Sequence, residues 1–287
     1  MTIRQALELA AERLAADEHL RATARRDAEL LLMHASSLSR AALIAYPGRE
    51  LAPAQAQAFE ASLHRRLRHE PVQYITGTQE FYGLDLAVSA AVLIPRPETE
   101  HLVESVLELV PHDRPLAIAD IGTGSGAIAI ALAANLPLAT LTAVDLSPAA
   151  LAMAEANART HHLGSRIRFL LSDLLDALPP GGERFDVIVS NPPYVPSGEA
   201  ASLHPQVREH EPASALYAGK DGLAVYRRLI PQARDRLKDG GLLALEFGYG
   251  QGEEMARLLT GWQDLRFVDD LQGVPRVAIC RSGMFPK

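Results

Sequence analysis

Between Leu116 and Cys280 the chain repeats one pattern. Short aliphatic and β-branched runs ("LAIADIG", "ATLTAVDL", "RIRFLL", "FDVIVSN", "GLLALEF", "DLRFVDD", "RVAIC") recur, with helical stretches at 125–135, 148–162, 222–238 and 252–260 separating several of them. Strands that alternate with helices pack as parallel neighbours, because each helix carries the chain back to start the next strand in the same direction. Seven such runs predict an α/β fold, a doubly wound, mostly parallel seven-stranded Rossmann-like sheet. The most apolar window, Ala127 to Val144, contains Asn135, Pro137 and two threonines. It reads as a buried helix followed by a buried strand, not as a membrane span.

The residues ahead of the sheet follow a different period. "IRQALELAAERLAA" sets Ile3, Leu7, Ala10, Ala11 and Leu14 on one stripe, and "RRDAELLLMHASSL" repeats the idea. Pro53 opens a third helix that runs toward Pro71 with Arg and His in its last turn. Residues 1–70 are therefore expected to form a small all-α domain. Residues 71–95, "VQYITGTQEFYGLDLAVSAAVLI" among them, are expected to form a β-hairpin linker, and 96–287 the sheet domain. The N-terminus carries charges throughout and lacks the apolar core of a secretory signal, which suits a cytoplasmic protein. A formal charge of −7 argues against gripping nucleic acid through the overall field. The single cysteine, Cys280, excludes an internal disulfide and reads as a buried thiol. The ten histidines show no metal-ligand spacing, so no metal is expected, and His161-His162 read as a helix surface.

"ADIGTGSGAIAIALA" reads as strand, glycine-rich turn and helix. Gly122, Gly124 and Gly126 allow positive φ and let a ligand touch the backbone around Thr123 and Ser125. Asp145 ends the next strand, where a ribose-binding acid belongs. Read loosely, the glycines also fit a dinucleotide fingerprint, which keeps an NAD-type oxidoreductase in view. Asp120 discriminates: a carboxylate two residues ahead of the turn would repel a pyrophosphate and suit a ligand bearing an ammonium group. S-adenosylmethionine is such a ligand. No Lys-Ser/Thr follows the glycines, which argues against a P-loop nucleotide site. Asp173, after the third strand, is placed either to reach the adenine edge or to cap a helix.

"VIVSNPPYVPSG" ends a buried strand at Asn191 with two prolines and a tyrosine behind it. Neither proline can continue a ladder. An NH₂ conjugated to a carbonyl or an aromatic ring is a poor nucleophile because its lone pair is delocalised. Two acceptors aimed at its two hydrogens fix the group and raise electron density on nitrogen. The Asn191 side-chain oxygen and the Pro192 carbonyl would be those acceptors, kept aimed by Pro192 and Pro193, with the Tyr194 ring against a flat substrate.

"NPPY" with "DIGTGSG" resembles the class I methyltransferases that modify planar NH₂ groups, either adenine in DNA or glutamine in proteins. "FYGLDLAVSAAVLIPRPETEHLVE", "EPASALYAGKDGLAVYRRLI" and "LEFGYGQG" narrow this. Across almost the whole chain the sequence resembles the release factor glutamine methyltransferase (HemK/PrmC) family. The resemblance implies methyl transfer from S-adenosylmethionine, released as S-adenosylhomocysteine, to the side-chain amide nitrogen of the glutamine in the Gly-Gly-Gln loop of peptide chain release factors. Cofactor contacts would fall on Gly122 through Gly126, Asp145, Asp173, Leu174 and Asn191, and glutamine contacts on Asn191, Pro192, Pro193 and Tyr194. Many members have an aromatic residue where Leu174 stands, so an aromatic wall for adenine is missing here. Arg96 would shape the entry to the site. The helical domain would meet the partner, with "HRRLRH" at 64–69 either touching an acidic face or lying as a solvated helix end. The expected partners are release factors, with no direct nucleic acid contact and no membrane, and a monomer is expected. Glutamine of a ribosomal protein, or adenine-N6 of DNA, is the alternative substrate for the same chemistry.

Overall fold

The computed structural model describes residues 1–179 and 181–283; the last four residues of the expected 96–287 domain lie outside the described ones. The chain divides into two compact units, residues 1–78 with 201–211, and residues 79–200 with the chain from 212 onward. In the first unit lie α1 (Ile3–Ala15), α2 (Ala24–Ser36), α3 (Arg40–Ala45), α4 (Pro53–Arg66) and α5 (Val72–Thr76). They enclose a core containing Leu14, Leu31, Leu32, Phe59 and Leu63. The stripe on α1 buries Ile3, Ala6, Ala10 and Leu14, with Leu7 and Ala11 packed at its margin. A capping box starts that helix, Thr2 Oγ1 accepting from Gln5 N–H and Gln5 Oε1 from Thr2 N–H.

Two local expectations need correcting. "VQYIT" is β-branched and aromatic enough to suggest a strand, yet it forms helix α5, which starts behind Pro71 and stops at Gly77 with φ of 81°. Burial of Val72, Tyr74 and Ile75 outweighs the strand propensity. The hairpin is accordingly shorter, β1 (Thr78–Phe81) against β2 (Leu84–Ala87). The basic stretch 64–69 is mostly not a free surface. Arg66 is buried on Asp27 (2.7 Å), Arg65 pairs with Glu70 (2.5 Å), and His69 meets Asp17 (3.0 Å). Only His64 and Arg68 in this stretch are exposed.

The second unit continues through α6 (Glu100–Leu109), β3 (Ala117–Ile121), α7 (Ala127–Asn135), β4 (Thr140–Asp145), α8 (Pro148–Thr160), β5 (Ile167–Leu171) and β6 (Phe185–Ser190). The short α9 (Pro205–His210) belongs to the first unit. The second unit then resumes with α10 (Ala224–Arg236), β7 (Leu237–Glu246), α11 (Gly252–Leu258), β8 (Gln263–Asp269) and β9 (Pro275–Arg281). The seven-stranded sheet runs β5-β4-β3-β6-β7-β9-β8, parallel except for β9, which is antiparallel to both neighbours. All seven strand-like runs thus become strands of one sheet. From β3 the chain crosses to β4 on one side, while β6 lies on the other. The carboxyl ends of β3 and β6 therefore open onto a topological switch point, where such sheets leave a crevice.

Residues Ala127–Ala133 of α7 are buried all round, which explains the apolar window. Among the described residues no helix is long and apolar enough to cross a membrane. Cys280 is buried, and burial pushes its thiol up to about 12. His161 and His162 do not sit on a helix face. They follow the end of α8, His162 with φ of 59° and His161 Nε2 bonded to the Asp85 carbonyl (2.8 Å).

Candidate active site

The crevice holds a cavity of about 500 Å³. Its floor is the turn after β3. Gly122 N–H and Thr123 N–H both donate to the Val144 carbonyl (2.8 and 2.9 Å), which staples the turn to the end of β4. Gly122 and Gly124 have φ of 76° and 56°, and a Cβ on either would point into open space. Gly126 differs. A Cβ there would press on Ile130 and Ala154 at 3.0–3.2 Å, so this glycine lets α7 and α8 pack closely under the turn.

Asp145 accepts from Gly124 N–H through Oδ2 and from Ser147 N–H through Oδ1, both at 2.9 Å. Each oxygen keeps a second lone pair for a hydroxyl donor. Gly122, Thr123, Gly124, Ser125, Asp145, Asp173, Leu174, Asn191 and Pro193 all line this one cavity, as does Arg96. Gly126 does not line it; it shapes the wall from behind.

Four expected roles change in position. Asp120 does not face the cavity: it is fully buried beneath the turn, where Oδ2 accepts from the Thr123 hydroxyl (2.7 Å) and Ala129 N–H (3.2 Å). Burial pushes its carboxyl up to about 7 against those two hydrogen bonds, and the Asp145 charge adds to the rise. Its alternation along β3 turns it inward, so it braces the loop instead of meeting a ligand. Asp173 lines the cavity but is held by Arg228 of α10 (2.8 Å), and only turns follow it, so it caps no helix. Tyr194 is not on the cavity lining. Its ring packs on the core that includes Phe247 and Tyr226, and its hydroxyl points to Glu246 Oε1 (3.5 Å). Burial raises the Tyr194 phenol well above its usual range. Pro192 is buried and likewise off the lining.

Asn191 is anchored within the cavity wall, Nδ2 donating to Thr99 Oγ1 (3.0 Å) at the end of the short turn Pro97–Thr99, and Thr99 lines the cavity as well. Glu246, 2% exposed, closes β7 beside it. Burial pushes this carboxyl up to about 7. The facing Thr99 hydroxyl pulls it back, Glu98 raises it, and Arg276 and the Asn191 carboxamide lower it. The sequence reading missed Thr99, Glu246 and Arg228. Glu246 did leave a signal, as an acid ending the wholly apolar run Leu242–Leu245.

The residues present fit S-adenosylmethionine. Open backbone at Gly122 and Gly124 leaves space where side chains would intrude, and Asp145, held on the turn by Gly124 N–H, offers a carboxylate at the end of β4, where a ribose-binding acid belongs. The flanking Ile121, Ile128, Val144 and Leu146 supply apolar walls. Among the described residues no cluster of His, Cys, Asp or Glu could hold a metal.

Comparison with known proteins shows the family. Residues 5–77 match the family described as the PrmC N-terminal domain, and residues 99–206 the methyltransferase small domain. A "release factor glutamine methyltransferase" of Koribacter versatilis is 46% identical over 282 residues, covering 98% of this chain and 99% of the relative. Proteins of the same name from Moorella thermoacetica (46%, 96% and 97% covered) and Geobacter sulfurreducens (43%, 91% and 90% covered) are similar over comparable spans. Among solved structures, a methyltransferase from Pyrococcus furiosus aligns with a TM-score of 0.51 at 17% identity, over 70% of this chain and 90% of that one. The hMettl16 catalytic domain aligns with a TM-score of 0.56 at 17% identity, over 72% and 77%. These two share the fold.

Proposed function

Since the chain belongs to the release factor glutamine methyltransferase family, we propose that it methylates the side-chain amide nitrogen (N5) of the glutamine in the Gly-Gly-Gln motif of peptide chain release factors. The observation that carries this reading is the Asn191 carboxamide. Its Nδ2 donates to Thr99, which leaves Oδ1 as an acceptor at the cavity that Gly122, Gly124 and Asp145 also line.

Gly122 through Ser125 and Asp145 hold the cofactor, with Gly126 packing the turn from behind and Leu174 and the Asp173–Arg228 pair along the adenine side. When bound, S-adenosylmethionine supplies an electrophilic methyl group on a sulfonium and leaves as S-adenosylhomocysteine. Asn191 Oδ1 accepts from one N–H of the substrate amide and the backbone carbonyl of Pro192 from the other, although the Pro192 ring itself packs off the cavity lining. Together they fix the amide plane and enrich its nitrogen. Pro192 and Pro193 keep that pair rigid, and Tyr194 supports the turn from the core side. A C–N bond forms as the S–C bond breaks. The proton displaced from nitrogen passes to solvent or a nearby acceptor, so no histidine or lysine base is required. The helical unit serves as the partner-binding part, the hairpin as linker and the sheet unit as the catalytic part. We place the enzyme in the cytoplasm as a monomer, acting on protein without contacting nucleic acid.

The test is incubation with methyl-labelled S-adenosylmethionine, a purified release factor and duplex DNA together, with mass-spectrometric location of the label. Label on the Gly-Gly-Gln glutamine is expected. Label in DNA, with none in the factor, overturns the proposal.

A further inference from the structure

An asparagine carboxamide has nearly the same shape either way round, but one orientation presents an acceptor to the cavity and the other presents two donors. Turned with its NH₂ outward, Asn191 would confront the hydrogens of a substrate NH₂ with hydrogens of its own. Something in the chain has to choose the flip. We propose that Thr99 and Glu246 are positioning residues that fix the Asn191 carboxamide with Nδ2 on Thr99 and Oδ1 left to accept from a substrate amide, a role that rests on the amide-methylation reading above.

Thr99 is 4% exposed and takes the Asn191 Nδ2 proton on Oγ1 at 3.0 Å. A hydroxyl that accepts from an N–H directs its own proton elsewhere, and the carboxylate it faces is Glu246. The sheet register brings them together. Ser190 of β6 pairs with Leu245 of β7, so Asn191 and Glu246 leave adjacent parallel strands side by side. Glu246 is itself held in place, its carbonyl accepting from the Tyr226 hydroxyl (2.7 Å).

In its ionised form Glu246 only accepts, so it favours the arrangement in which the groups that face it, the Thr99 hydroxyl and the Asn191 NH₂, are donors, while Thr99 Oγ1 accepts from Asn191 Nδ2. The Tyr194 hydroxyl points to the same carboxylate at 3.5 Å, so both ends of the Asn191–Tyr194 turn face one group. Structural need alone does not account for Glu246. It has no cation at salt-bridge distance among the described residues; Arg276, the nearest in influence, is paired with Asp270 at 3.1 Å. Its Oε2 is buried with no partner at hydrogen-bond length. A buried carboxyl without a cation at salt-bridge distance costs stability, and its role here is orientation of the site.

The experiment is a double-mutant cycle between Thr99 and Asn191, read as single-turnover rate and KM with a release factor, with cofactor affinity measured by calorimetry. Thr99→Val is expected to lower the rate by about 10-fold or more while the cofactor Kd changes less than about 3-fold. Thr99→Ser should restore most of the rate, and Glu246→Gln should lower it by less than Thr99→Val. In an Asn191→Ala background, Thr99→Val should cost nothing further, because its partner is gone. Thr99→Ala replaces Thr99→Val in the cycle if the valine variant fails to bind cofactor. An equal loss in both backgrounds, or an unchanged rate in the single variant, overturns the proposal. If Asn191→Ala alone keeps full turnover, it is the methylation reading that fails. If Asn191→Ala is inactive while Thr99→Val is normal, only the positioning role does.

Discussion

Asp120 was expected to greet a charged ligand, and instead it sits beneath the glycine turn with Oδ1 buried and unpartnered. Its folded carboxyl titrates at about 7 against an ordinary value of 3.8, so the folded protein holds this proton more tightly than the unfolded chain. Such a group contributes stability that is complete below about pH 4 and is lost as pH rises through about 7, by up to ~4 kcal/mol. Asp120→Asn keeps the Thr123 and Ala129 bonds and removes the titration. The variant should therefore gain on the native protein between pH 5 and pH 8, measured as urea midpoints from the fluorescence of Trp262. That residue is the only tryptophan and lies in the sheet unit. A stability difference equal at both pH values would refute this. Leu174 invites a second substitution. It lines the cavity with φ of 51°, so the chain already holds it in the left-handed region, and only the ring is missing. Leu174→Phe should tighten S-adenosylhomocysteine several-fold, the ~1 kcal/mol an aromatic face adds beyond area, with turnover preserved. Calorimetry showing equal or weaker affinity would count against an adenine at that wall.

Among the elements, α8 does more than cross between β4 and β5. Its Asn157 is 2% exposed, takes Ala87 N–H on Oδ1 (2.8 Å), and gives Nδ2 to the carbonyls of Ala87 (3.0 Å) and Ser125 (2.9 Å). One carboxamide thus joins the hairpin strand β2 to the glycine turn. Asn157→Ala would leave buried backbone groups without partners, at about 1–3 kcal/mol, and loosen the turn. Expected are a lower unfolding midpoint and weaker cofactor binding together; loss of stability with unchanged affinity would confine Asn157 to the scaffold. In the helical unit, α9 depends on His204, whose Nδ1 accepts from Gln206 N–H (3.2 Å) and whose Nε2 donates to the His19 carbonyl (3.0 Å). His204→Ala should speed amide exchange across Gln206–His210, and unchanged exchange would show the helix is held otherwise. These elements also show what a sequence makes legible. β3, β4, β6, β7 and β9 declared themselves because each carries a run of buried aliphatic residues, and the turn after β3 because three glycines adopt backbone no other residue favours. Helix α5 was hidden because strand propensity at Val72 and Ile75 was overruled by burial among distant helices. Thr99 and Asp120 were misplaced or missed for a related reason. The direction a polar side chain takes depends on partners 92 and 9 residues away, which periodicity does not encode.

At the scale of the whole molecule, the two units carry separate cores. Leu31, Phe59 and Leu63 belong to one; the layers on the sheet's two faces, built around Ile130 and around Tyr226, belong to the other. Every residue lining the cavity lies in the sheet unit. Ligand binding stabilises only what unfolds with the site, so the cofactor product should act on one unit and spare the other. At about 100 times its Kd, S-adenosylhomocysteine adds ~2.7 kcal/mol, which for a unit of this size raises the unfolding midpoint by roughly 5–10 °C. Hydrogen exchange separates the units. Amides of β3, β4 and the turn at 122–126 should gain protection, while those of Leu31, Phe59 and Leu63 should not change. An equal gain in both cores would mean that the units unfold as one, and that the helical unit feels the cofactor directly through the stability of the sheet.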